Sequence, residues 1–219
     1  MSGASLLDKI REEQPRRPES GDTVRRRRWG VALTGVVGTV LLGFALTQDP
    51  GSSLFYVATI STAITWIIGS LCSGPLHLGR REVLPALVLA AVTFAFFWLG
   101  AQVALQIPFL RDALADATSY ADASLVFVVG VAWLSAVGEE MYFRGAVYSA
   151  IKRHNPIIWS TVAYMVATVA TQNAALVLAA GAVGLLFGLQ RKVSRGVLAP
   201  VLTHAAWMTT MILFLPRPA

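Results

Sequence analysis

The sequence predicts an all-α fold, a polytopic membrane helix bundle of about seven transmembrane spans with the N-terminus in and the C-terminus out. Composition is the first reason. Of the 219 residues 55% are hydrophobic and only 14% charged, where soluble domains average about 45–50% apolar and about 25% charged. The second reason is run length, since the apolar stretches approach or reach the ~20 residues that cross ~30 Å of hydrocarbon. Charge placement is the third: lysine and arginine fall in short blocks between the runs, the pattern that sets orientation in a bilayer.

The same composition excludes other classes. A net charge of +6 does not point to nucleic acid, because no basic groove with interleaved aromatics accompanies it. Cys72 is the single cysteine, so there is no internal disulfide and no thiolate metal cluster. It reads as an inert packed thiol.

Residues 1–28 are polar, mixed in charge and proline-bearing, and end in Arg25-Arg26-Arg27-Arg28. They read as a disordered basic cytoplasmic tail held near anionic headgroups rather than a cleaved leader. Everything from 29 to 219 reads as one transmembrane helical domain. Trp29 to Leu46 is the first span, with Gly35, Gly38 and Gly43 giving a smooth face for close packing. Asp49-Pro50-Gly51 is a turn, Leu54 to Leu71 the second span, and Cys72 to Glu82 a loop. Val83 to Gln106 is the third span, with Pro85 in its first turn, where a missing N–H costs little. Ile107 to Asp122, with three aspartates among apolar residues, is a short interfacial helix or loop on the outer side. Ala123 to about Arg153 is one long helix, which Asn155-Pro156 ends. Ile157 to Ala170, Ala174 to Gln190 and Val197 to Leu215 complete the seven. Gly184 and Gly188 are spaced for helix packing.

Counting basic residues by side gives the orientation. Arg25 to Arg28, Arg80, Arg81, Lys152, Arg153, Arg191, Lys192 and Arg195 fall on the tail side, whereas the other side has only Arg111 and Arg217. Positive charge stays inside.

Glu139 and Glu140 stand out against this background as the only acidic residues beyond Asp122. A carboxylate at the bilayer centre costs about 2.5–3.5 kcal/mol on insertion scales. Arg144 shares a helix face with Glu140, four residues on. At about 1.5 Å per residue Glu139 lies roughly 24 Å in from Ala123, in the cytoplasmic half. The same rise puts His204 about 12 Å and Thr168 about 17 Å from the cytoplasmic surface. A polar cluster opening toward the cytoplasm is therefore geometrically allowed. Two adjacent carboxylates in low dielectric do not both ionise cheaply, so one stays anionic beside Arg144. Carboxylates and an imidazole at one level form an acid/base set suited to hydrolysis. A structural ion-pair staple and a proton-relay transporter are the other readings of the same residues.

The run Glu139-Glu140-Met-Tyr-Phe-Arg144 resembles the Glu-Glu-x-x-x-Arg signature of the CPBP family, multi-span intramembrane proteases that include the type II CAAX prenyl proteases. The likeness spans about 124–212 and extends to His204, within Ala-Pro-Val-Leu-Thr-His-Ala-Ala-Trp. Two positions depart from the family pattern. Tyr164-Met-Val-Ala-Thr168 carries threonine where the family has histidine, and Met208 stands where asparagine or aspartate is expected.

The resemblance implies an endopeptidase that hydrolyses a peptide bond of a membrane-embedded or lipid-modified peptide near the cytoplasmic face. Glu139 would be the general base on water, Glu140 and Arg144 its electrostatic partners, and His204 the oxyanion donor, with Thr168 a weak hydroxyl substitute for the lost imidazole. Glu139 and His204 are the residues it offers to a divalent metal such as zinc. The expected partners are that substrate and the lipid bilayer, with no nucleic acid, and the expected location is the plasma membrane of a bacterium. The two departures leave open a second reading, a catalytically degenerate member acting as a membrane scaffold or partner-binding protein. Oligomeric state is not readable from the sequence.

Overall fold

The computed structural model describes residues 20–119, 124–151 and 155–215. Among them there is no strand. Eight helices follow in order: α1 Gly21–Leu46, α2 Ser53–Cys72, α3 Val83–Ala104, α4 Pro108–Ser119, α5 Leu125–Ala150, α6 Pro156–Val169, α7 Ala174–Ser194 and α8 Leu198–Phe214. Five of these (α1, α2, α3, α5 and α7) are long and apolar enough to cross a membrane. Helices α6 and α8 are apolar but shorter, at 14 and 17 residues.

Local chemistry explains the boundaries. Ser20, Ser52 and Asn173 accept the backbone N–H three residues on, from Thr23, Phe55 and Leu176 respectively, each satisfying one orphan donor of a helix start. Asn155, at φ 43°, and Pro156 restart the chain as α6, the residue before proline being unable to stay helical.

The Ser20 cap also corrects the expected start of the first span. Helix α1 begins at Gly21, so Arg25 to Arg28 form its second turn instead of ending a disordered tail. Asp22 pairs with Arg25 at 3.0 Å, and Arg27 Nε donates to the Ser73 carbonyl at 2.7 Å. The rest of the expected tail, 1–19, lies outside the described residues, as do Lys152, Arg153 and Arg217 of the charge count. Cys72 is exposed at the last turn of α2, not packed. Arg191 is likewise not in a basic loop, because α7 runs on to Ser194 and turns this side chain inward.

Helix α4 is amphipathic and buries Leu114. It is tied to the α6–α7 turn by Asn173 Nδ2, which donates to the Ala113 carbonyl and to Asp116 Oδ2, both at 2.8 Å.

Packing follows the small residues. Helices α1 and α2 pair, α2 lies against α5, α8 bridges α3 and α5, and α6 with α7 forms a close hairpin. Gly38 gives room to the Trp66 indole, Gly35 faces Tyr142 and Gly184 faces Thr161. The shared core holds Trp66, Tyr142, Phe143, Tyr164, Phe187 and Trp207. Large apolar side chains such as Leu84, Phe96 and Val126 face outward, as lipid contact requires.

The loop before α3 is sewn to the α7–α8 link. Arg80 N donates to Ser194 O at 2.9 Å, Val197 N to His77 O at 2.9 Å and Leu198 N to Leu78 O at 3.0 Å. Gly79 permits this crossing: its φ is +78°, and a Cβ there would meet the Gly196 backbone. Gly79→Ala is expected to lower the thermal midpoint in detergent by several degrees, since a left-handed non-glycine residue alone costs about 1–2 kcal/mol. Gly100→Ala, in helix α3 with nothing within 4 Å, should leave the midpoint unchanged or slightly raised. Equal midpoints for the two variants would remove the crossing as a constraint.

Candidate active site

Helix α5 changes character where its carboxylates begin. After Glu139 the backbone adopts π-helical hydrogen bonding from Glu140 to Val147, then returns to α geometry. Such segments are rare and concentrate at functional sites. Glu140 and every residue from Tyr142 to Val147 are buried, because α2, α6, α7 and α8 all contact this stretch. A segment enclosed on every side carries its polar groups only if neighbours pair them.

Glu140 is the node. Its Oε1 accepts from Arg144 Nη1 at 3.0 Å and lies 2.9 Å from His204 Nδ1 on α8. Glu140 and Arg144 are 0% and 1% exposed, so this is a buried three-group cluster and not a surface pair. Arg144 extends a second nitrogen to the Val183 carbonyl on α7 at 3.4 Å. Its guanidinium stacks between two rings, 4.7 Å from the Tyr164 centroid and 5.6 Å from that of Phe187, a geometry that favours a desolvated cation. The His204 ring packs against Phe187 and Trp207.

Glu139 lies beside that node but makes no hydrogen bond to it. It is half-buried, and its Oε2 accepts the Tyr164 hydroxyl from α6 at 2.5 Å. Thr168 is buried one turn beyond Tyr164, and its hydroxyl donates to the Tyr164 carbonyl at 2.8 Å. The structure thus brings Glu140, Arg144 and His204 into direct contact. It links Glu139 through Tyr164 and places Thr168 on the same helix as that tyrosine, with its hydrogen bond made to the helix itself.

Charge counting describes what this set can do. Two carboxylates against one guanidinium leave a net charge of −1, which a low-dielectric interior tolerates poorly. One proton shared among Glu139, Glu140 and His204 brings the cluster to neutrality. Two carboxylates, a guanidinium and an imidazole within one cluster are the group types that proton-transfer chemistry uses.

Residues 121–210, which carry α5, α6, α7 and most of α8 with every residue of this cluster, match a family model described as type II CAAX prenyl endopeptidase Rce1-like. The matching family is the one to which the Glu-Glu-x-x-x-Arg run pointed. No curated protein and no solved structure matches the chain.

A divalent ion such as zinc does not fit the donors of the Rce1-like segment as they stand. With Glu139 Oε2 bonded to Tyr164 and His204 Nδ1 facing Glu140, the pair keeps only one oxygen and one ring nitrogen outside these contacts. Among the described residues no group of three or more His, Cys, Asp or Glu is arranged to hold a metal ion.

Two side chains of this segment escaped sequence reasoning. Tyr164 was legible only as the aromatic of a motif, four residues before Thr168. Arg191 looked like a loop cation, yet it is 1% exposed, donates from Nε to the Arg144 carbonyl at 3.0 Å and stacks on Tyr148. No local signal marks an inward arginine near a helix end.

Arg144→Met strands the buried Glu140 carboxylate and is expected to destabilise the fold by about 3–5 kcal/mol. The double variant Glu140→Gln/Arg144→Met should recover most of that loss. Thermal unfolding in one detergent compares them, and equal losses in both would show that the charge pair is not the constraint.

Proposed function

We propose that the protein is an intramembrane endopeptidase that hydrolyses a peptide bond of a membrane-associated, lipid-modified substrate near the cytoplasmic face. The observation that carries this reading is the division of labour between adjacent glutamates. Glu140 Oε1 is shared by Arg144 and His204 and its Oε2 is shut away from solvent, whereas Glu139 is half-buried and keeps Oε1 without a hydrogen-bond partner among the described residues. The Rce1-like match of 121–210 supports the reaction class.

The steps use protein groups and water. Glu139 Oε1 takes a proton from water as its oxygen attacks the scissile carbonyl. Glu140 holds Nδ1 of His204, which leaves Nε2–H to donate to the tetrahedral oxyanion. Arg144 stays paired with Glu140 Oε1 through this change. Glu139 then passes its proton to the amide nitrogen, the C–N bond breaks, and a carboxylic acid and an amine result, the acid giving its proton to the amine as the two leave. Tyr164 orients the Glu139 carboxylate from its other oxygen.

In the bilayer, all seven apolar helices other than α4 cross in this reading, with the N-terminus in and the C-terminus out. The two short ones, α6 and α8, line a locally thinned or water-reached region beside the site. The basic residues Arg25 to Arg28, Arg80, Arg81, Lys192 and Arg195 then face the cytoplasm, and a bacterial plasma membrane is the proposed location. One observation favours a second reading as a non-catalytic scaffold: Thr168 spends its hydroxyl on the Tyr164 carbonyl and Met208 offers no amide. Complementation separates the two, since full rescue of a deletion by both Glu139→Ala and His204→Ala would end the enzymatic reading.

Glu139→Gln keeps the side-chain shape and removes the base. Reconstituted with lipid-modified peptides, it is expected to cleave about 10²–10⁴-fold more slowly than the wild type, with an unchanged thermal midpoint. Equal rates would remove the role given to Glu139. Elemental analysis of the active preparation is expected to show well under one zinc per chain, because the donors do not converge. A stoichiometric ion lost together with activity on chelation would overturn that part of the scheme.

A further inference from the structure

Against the His204 ring lies a residue whose buried donor has no use within the protein among the described residues. The indole Nε1 of Trp207 is buried without a hydrogen-bond partner among the described residues, and the residue is 6% exposed. An unsatisfied buried N–H costs about 1–3 kcal/mol, and folded proteins seldom carry one without a reason. The neighbouring Trp133 shows the ordinary solution, its Nε1 donating to the Thr209 hydroxyl of α8 at 2.8 Å. Trp66 also has an unpartnered indole nitrogen, but its contacts are Gly38, Tyr142 and Phe143, whereas the ring contacts of His204 are Phe187 and Trp207.

Position distinguishes Trp207. It lies three residues beyond His204 on α8 and therefore on a neighbouring face of the same turn. Its ring centroid is 5.5 Å from that of His204, with 35° between planes. Phe97 and Phe187 enclose the ring at 4.9 and 6.3 Å. Glu140, whose Oε1 contacts the same imidazole, has Oε2 as a buried acceptor with no donor among the described residues. A donor without an acceptor and an acceptor without a donor thus belong to the two residues that touch one imidazole. An amide offers both complements at once.

We propose that Trp207 is a substrate-contacting residue whose indole N–H donates to the carbonyl oxygen of the peptide bond held beside His204. This rests on the endopeptidase reading for the identity of the ligand but not for the contact itself. As the carbonyl becomes an oxyanion the donor strengthens its hold, so the contact serves catalysis as well as binding.

Trp207→Phe keeps an aromatic ring and removes only the donor and part of the ring area. In lipid nanodiscs with an S-farnesylated tetrapeptide, kcat is expected to fall about 10²-fold, the scale of a lost oxyanion donor, while KM changes several-fold at most. A second measurement does not need turnover. In Glu139→Gln protein labelled with ¹⁵N-tryptophan, the indole N–H resonance of Trp207, assigned from its absence in W207F or W207Y, is expected to shift downfield on addition of the same peptide. Wild-type cleavage with an unchanged W207F rate, or with no resonance shift, overturns the role of Trp207 and leaves the endopeptidase reading standing. No cleavage by the wild type together with a clear shift overturns the endopeptidase reading and keeps Trp207 as a ligand group. Neither cleavage nor shift overturns both.

Discussion

The Glu140 carboxylate, buried and shared by Arg144 and His204, is the contact on which the surrounding structure depends. A lone charge at that depth would cost several kcal/mol, and removing either partner would leave the other uncompensated. The pairing therefore dictates where α8 sits against α5, because Nδ1 of His204 must reach Oε1. It also dictates where α7 sits, because Arg144 extends to the Val183 carbonyl and lies over the Phe187 ring. A buried ion pair does not stabilise a fold better than well-packed apolar residues do. Its retention inside an apolar bundle accordingly argues for use rather than for strength.

The π-helical stretch follows from the same demand. Seven consecutive residues from Tyr142 to Tyr148 are buried, which an α-helix at a bundle edge does not achieve. Widening the turn lets Tyr142 reach the Val31 carbonyl on α1 at 2.7 Å while Arg144 points to α7. Arg191 accompanies this change by capping the Arg144 carbonyl from α7, so a second buried cation steadies the backbone that presents the first. Tyr164 acts from α6 in the same way on Glu139. Three helices thus hold what two adjacent residues on α5 supply.

Much of the bundle was legible in the chain. Hydropathy and run length identify the apolar helices because a lipid-facing surface requires apolar side chains whatever the neighbours are. Capping residues and Asn155-Pro156 set ends locally, and Ser20 shows how a single cap moves the start of α1 eight residues ahead of the apolar run. The i,i+4 spacing brought Glu140 and Arg144 together, and depth counting placed His204 within reach. Depth counting could not decide which glutamate the imidazole meets, since helix rotation changes partners without changing level.

By itself the sequence determined the class, the order of the helices and the residues too costly to be idle, because each follows from solvation and from spacing along one helix. Only the tertiary structure gave Glu139 and Glu140 different partners, turned Arg191 inward and left Trp207 with a donor to spare. Those outcomes depend on the rotation and packing of five helices around one π-helical segment, and periodicity along a single helix carries no information about its neighbour's azimuth.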